Sequence, residues 1–183
     1  QAVHFDSPFS TAPVVLSQIQ TAAGGVTEFL QTRYLRTEND SVVLAMEQEE
    51  AVTTPHVAET IGYLAIEAGS GVWNDMTYEA GTTPTAVFSN PYDLNYTASY
   101  STPPRILTNL ASYLLHDNAH LRFENPTASD VQIRIGEDTT FDMELNHFTP
   151  EAVHYLAIEG NGMLTALQEQ RPIGEVGILT DLT

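Results

Sequence analysis

The five residues Tyr63-Leu-Ala-Ile-Glu67 return unchanged as Tyr155-Leu-Ala-Ile-Glu159, and this recurrence constrains the fold more than any other feature of the 183-residue chain. The match runs upstream through His56-x-x-Glu59 and Phe148-x-x-Glu151, at an offset of 151 − 59 = 92. Phe9-Ser-Thr-Ala-Pro13-Val-Val-Leu16 lines up with Tyr100-Ser-Thr-Pro-Pro104-Arg-Ile-Leu107 at 104 − 13 = 91. Between these blocks, Arg33-Tyr34 falls on Arg122-Phe123 and Val42-Val-Leu44-Ala-Met46 on Val131-Gln-Ile133-Arg-Ile135, both at 122 − 33 = 131 − 42 = 89. Four blocks in one order, drifting only as loop insertions would make them drift, read as a tandem duplication. The two copies are therefore expected to share one fold.

That fold is expected to be all-β. Val131, Ile133 and Ile135 alternate with Gln132, Arg134 and Gly136, the period of a strand with one face buried and one wet. Val14-Val-Leu16 after Pro13, and the run from Ile61 to Ile66, suit strands buried on both faces. Leu107, Leu110 and Leu114 fall at helical intervals, but the twin segment at residues 13 to 21 argues for a strand there too. Turn-forming clusters such as Glu38-Asn-Asp40, Ser89-Asn-Pro91 and Gly160-Asn-Gly162 separate the runs. The reading is two tandem antiparallel β-sandwich modules, residues 1–76 and 77–174, followed by 175–183 as a C-terminal strand or the start of a further module.

The tail repeats the opening of the second copy. Glu79-Ala-Gly81 precedes that copy and Glu175-Val-Gly177-Ile-Leu179 follows it, while no such segment precedes the first. Residues Glu175, Val176, Gly177, Ile178 and Leu179 are thus a candidate assembly strand, able to complete a neighbouring copy head to tail. A strand closing its own domain, or a segment excised from a longer array, stands as the alternative.

Charge narrows the partners. Six Lys+Arg against 24 Asp+Glu give −18, and all six cations are arginines. Nucleic acid and anionic membrane surfaces would repel such a chain, whereas a neutral polymer or a cation would not. The acidity also suits salty surroundings, where self-repulsion is screened within a few ångströms. No apolar run reaches the roughly 20 residues of a membrane helix. The chain lacks cysteine and opens at Gln1, and is taken as a mature secreted protein or a piece of a longer one.

Chemistry-bearing residues are few. His56 and Glu59, three apart, could share a metal or a sugar hydroxyl, and Glu47, Glu49 and Glu50 could add to a calcium-like oxygen cage, although the spacing matches no EF-hand loop. The second copy has Phe148 in place of His56, so a histidine-dependent site would occur once. Glu59 and Glu151 could instead hold a backbone or the matched arginines Arg33 and Arg122. Trp73, beside Asn74-Asp75, could stack on a pyranose face or close a sandwich end; its counterpart in the second copy is Leu164. Tyr34 and Phe123 read as core, and Tyr92, Tyr96 and Tyr100 lie in a polar stretch where exposed rings could serve a glycan or an interface. No nucleophile elbow, phosphate loop or His-Glu-x-x-His occurs, so no catalytic residue is assigned.

The blocks Phe9-x-x-x-Pro13-Val-Val, the alternating strand ending near Glu47, and His56-x-x-Glu59 before Ile61-Gly-Tyr63-Leu-Ala-Ile-Glu67 resemble the H-type lectin domain, particularly in the tandem form found in large secreted proteins of marine bacteria. The resemblance implies a six-stranded antiparallel sandwich, often trimeric, that binds N-acetylgalactosamine-type sugars near subunit boundaries. The expectation is a non-enzymatic extracellular adhesion or glycan-binding module, with ligand candidates His56, Glu59, Arg33, Trp73 and Asp75. A self-assembling filament subunit and an accessory domain of a secreted polysaccharide-degrading enzyme are the rival readings.

Overall fold

The computed structural model describes residues 1–24, 29–160 and 174–182, and the regular elements within them are all strands. In chain order they are β1 (Ala2–His4), β2 (Val14–Ile19), β3 (Leu30–Thr37), β4 (Ser41–Gln48), β5 (Glu59–Ile66), β6 (Gly69–Trp73) and β7 (Met76–Thr82). There follow β8 (Tyr92–Asn95), β9 (Arg105–Leu110), β10 (Ala119–Glu124), β11 (Asp130–Glu137), β12 (Val153–Ile158) and β13 (Gly174–Leu182). Every pairing is antiparallel.

Four sheets result: β1-β4-β3, β13-β5-β2, β6-β7-β12-β9 and β10-β11-β8. The orders correspond strand for strand, with β8-β11-β10 answering β1-β4-β3 and β7-β12-β9 answering β13-β5-β2. The hairpin of β6 and β7 extends the sheet of the second half, and the expected division between residues 76 and 77 falls at the start of β7. A two-residue turn at Asn74 and Asp75 joins them, with φ of 46° and 66°, the left-handed pair that suits a twisted hairpin.

The side-chain patterns explain why sheets of this kind stack. Tyr34, Val42, Leu44 and Met46 of β3 and β4 meet Val15, Ile61, Tyr63 and Ala65 of β2 and β5 in a first core. Val131, Ile133 and Ile135 meet Val153, Tyr155 and Ala157 in an equivalent core of the second half. Between the halves lies a third apolar layer, where Val14, Leu16 and Ile66 face Ala80 and Leu156. β2 is buried on both faces because alternate residues serve different cores: Val15 the first, Val14 and Leu16 the middle. The segment with helical leucine spacing is β9, and Leu107 is exposed at 58 % while Leu110 is buried.

Among the described glycines, the closest approaches to a tyrosine are at Gly81 and Gly177. Gly81 lies opposite Tyr155 and Gly177 opposite Tyr63. A Cβ at Gly81 would sit 2.4 Å from the Tyr155 hydroxyl, and one at Gly177 would sit 2.4 Å from the Tyr63 ring. β13 pairs with β5 of its own chain and places Leu179 in the first core. The side chains of Glu175, Val176 and Ile178, and all of Leu164, lie outside the described residues.

Candidate functional site

Many of the carboxylates that make the chain acidic are fastened to loops. The glutamate ending each Tyr-Leu-Ala-Ile-Glu block grips a serine in the matched loop of its own half. Glu67 accepts hydrogen bonds from the Ser10 amide and hydroxyl, and Glu159 from those of Ser101 and from the Thr102 amide. Glu59 accepts from the Thr21 hydroxyl and the Gly24 amide, and Glu151 from the Ser112 hydroxyl and the Leu114 amide. Glu79 takes the Tyr155 hydroxyl at 2.7 Å and the Thr97 and Ala98 amides. Carboxylates so bonded favour their charged form, and Glu59 is held below the usual range by Thr21 first of all.

Arg33 is the centre of a buried network that joins the halves. It is wholly buried, donating from Nη1 to Glu47 at 2.6 Å, from Nη2 to Glu151 at 2.7 Å and from Nε to the Ser112 carbonyl at 3.1 Å. Its guanidinium also lies 4.7 Å from the Tyr113 ring centroid. Glu47 belongs to the first half; Glu151, Ser112 and Tyr113 belong to the second. His147 extends the network with Nδ1 2.8 Å from Glu137 and Nε2 3.7 Å from Glu151. Burial alone would lower His147, but the bonds and charges of Glu151 and Glu137 outweigh it and raise it. Desolvation pushes Glu47 up to about 7 despite the Arg33 charge.

The matched arginine behaves differently. Arg122 is exposed, and Phe123, expected in the core beside it, is 43 % exposed. Arg33 is buried because residues 112 to 118 of the second half cover that part of the first, and Tyr34 because it packs in the first core against Ser17 and, from the second half, His154. Tyr92, Tyr96 and Tyr100 are likewise half-buried flanks of the second core, Tyr96 edge-on to Tyr100 and the Tyr100 hydroxyl bonded to the Ala157 carbonyl.

Outside this network opens a cleft of about 430 Å³, lined by Glu47, Gln48, Glu50 and His56 from the first half and by Tyr113 and His116 from the second. Tyr113 and His116 meet edge to face at 4.8 Å. Burial and the neighbouring Glu47 carboxylate, which also hydrogen-bonds it, raise the Tyr113 phenol, with the Arg33 charge opposing. Glu50 is raised to about 7 by desolvation and by Asp117, Asp138, Asp142 and Glu137 nearby. The cleft thus joins imidazoles, a phenol, an amide and carboxylates at a boundary between halves, a set able to donate to and accept from a polyhydroxylated ligand.

The expected site residues do not converge. His56 is at the cleft, and Arg33 lies behind it through Glu47 and Tyr113. Glu59 senses the His56 charge but directs its oxygens to residues 21 to 24. Trp73 and Asp75 sit apart in the β6–β7 hairpin, where Trp73 is stacked on Tyr78 at 4.1 Å beside the middle core and Asp75 forms the turn. Among the described residues no group of three or more His, Asp or Glu side chains is placed to hold a metal ion. No helix among them is long and apolar enough to cross a membrane.

Known proteins give one point of comparison. The chain is 26 % identical over 168 residues to Halomucin of Haloquadratum walsbyi, a match covering 90 % of this chain and 2 % of that protein. No family model and no solved structure matches it.

Proposed function

We propose that the chain is a non-enzymatic, extracellular glycan-binding module whose sugar site is the cleft between its halves. One observation carries this reading: His56 and Gln48 of one half face Tyr113 and His116 of the other across a polar cleft of about 430 Å³, a size and lining suited to a small saccharide. Tyr113 and His116 supply aromatic surface, and the imidazoles of His56 and His116 and the side chains of Gln48 and Glu50 supply polar groups for hydroxyls. The lectin-like blocks at Phe9–Val15 and His56–Glu67 support a sugar ligand without fixing which sugar. The similarity to Halomucin supports an extracellular setting, and the −18 charge supports a neutral rather than an anionic polymer.

A glycan array probed with the intact chain tests this, alongside the Tyr113→Ala and His56→Ala variants. Binding that falls at least about tenfold in either variant supports the cleft. Binding indifferent to both, or no binding to any neutral glycan, removes it.

A further inference from the structure

We propose that β13 is an exchangeable strand: the place it fills beside β5 accepts the same strand from a second copy of this chain, so that copies link through their first halves. This goes beyond the glycan reading and does not rest on it.

The argument starts from equivalent positions. Beside β12 the edge is occupied by β7, and beside β5 it is occupied by β13. The two fit in one register. Gly81 opposes Tyr155 and Glu79 opposes Ala157; Gly177 opposes Tyr63 and Glu175 opposes Ala65. In both cases only a glycine leaves room for the tyrosine ring. β13 therefore carries its own register mark, the absent Cβ that lets Tyr63 lie across it.

The attachments of the two strands differ. β7 is held on both sides, by β12 and by the tight hairpin to β6, and cannot leave without dismantling its sheet. Among the described residues β13 pairs only with β5, and 173 − 161 + 1 = 13 residues separate its first residue from Gly160. Its hold on the first half is a main-chain ladder from Gly174 opposite Ile66 to Leu179 opposite Ile61, with Leu179 entering the core. A ladder of backbone bonds is the same whichever copy supplies it. When β13 leaves, β5 becomes an open edge with a vacancy at Leu179, a template for the next available strand. Strands from other copies compete with the chain's own strand increasingly as protein concentration rises.

The chain's lack of cysteine makes a direct test available. Leu64 and Val176 are register partners on β5 and β13. A chain carrying both Leu64→Cys and Val176→Cys serves as the control and closes an internal disulfide if the strand sits as described. The two single variants are then mixed, opened in intermediate urea, returned to native buffer at about 20 μM and about 1 mM, oxidised, and resolved without reductant. The expected result is a disulfide between chains that joins the thiol introduced at position 64 of one to the thiol introduced at position 176 of the other. Mapped by mass spectrometry, it should rise at least about fivefold with concentration above the background of each variant alone. Absence of that link at both concentrations overturns the proposal, as does a double variant that fails to close on itself.

Discussion

His154 offers the sharpest quantitative test of the packing between the halves. It lies on β12, 3 % exposed, with its ring edge-on to Tyr34 of β3 at 5.3 Å and Nδ1 2.8 Å from the Thr82 hydroxyl. Thr37 approaches Nε2 at 3.4 Å, and burial alone lowers the imidazole from 6.5 to about 4. The folded protein therefore binds fewer protons here than the unfolded chain between those values. The stability due to neutral His154 is fully present above pH 6.5 and is lost as pH falls toward 4. At pH 5 the loss is 6.5 − 5.0 = 1.5 pH units, about 2 kcal/mol at 1.36 kcal/mol per unit. His154→Phe keeps the ring and deletes the proton site, at a roughly pH-independent cost of about 1 kcal/mol for the unpaired Thr82 hydroxyl. Urea unfolding of both proteins at pH 7 and pH 5 gives a difference from which the carboxylates cancel. The gap between wild type and variant should narrow or reverse by about 2 kcal/mol at pH 5. Parallel pH dependences, within about 0.5 kcal/mol, would show that His154 is not enclosed between the halves.

Four further outcomes follow from the same structure and charge. Arg33→Met should destabilise by about 3–5 kcal/mol at pH 7 in urea unfolding, because it strands Glu47 and Glu151 without their cation. Gly81→Ala should cost about 1–3 kcal/mol by the same measurement, since the new Cβ displaces the Tyr155 hydroxyl from Glu79. Gly69→Ala, at a position with open space around it, should respond through its φ of 138° alone. The melting temperature should rise by several degrees between about 0.05 and 1 M sodium chloride as screening relieves the −18 charge; a fall would mean that exposed ion pairs such as Arg134 with Glu124 dominate.

Strand identity is the most legible level in the sequence. Val131, Ile133 and Ile135 mark β11 by alternation, and the doubly apolar Val14-Val-Leu16 marks a strand between two cores. The repeat also points to matched glutamates, but not to what they hold, since Ser10 and Thr21 lie 57 and 38 residues away from Glu67 and Glu59. Contacts across the halves leave no periodic trace. Arg33 and Arg122 look equivalent along the chain, yet only Arg33 is roofed by residues of the other half, so one is buried and the other wet. Tyr113 and His116 escape sequence reading for the same reason: they sit after β9 in an irregular segment whose partners, Arg33 and Glu47, come from the first half. Their only signal is an aromatic-histidine cluster, Tyr113-Leu-Leu-His116, with no counterpart at residues 22 to 25.

The central claim, a sugar site at the boundary of the two halves, is tested most directly by the histidine ring resonances in two-dimensional NMR during titration with each of a panel of neutral monosaccharides. Of the six histidines, His56 and His116 line the cleft, whereas His147 and His154 are enclosed. The account predicts saturable shifts at His56 and His116 with His154 unmoved. Shifts confined to other histidines, or none up to about 50 mM sugar, a range that reaches even millimolar dissociation constants, would contradict it.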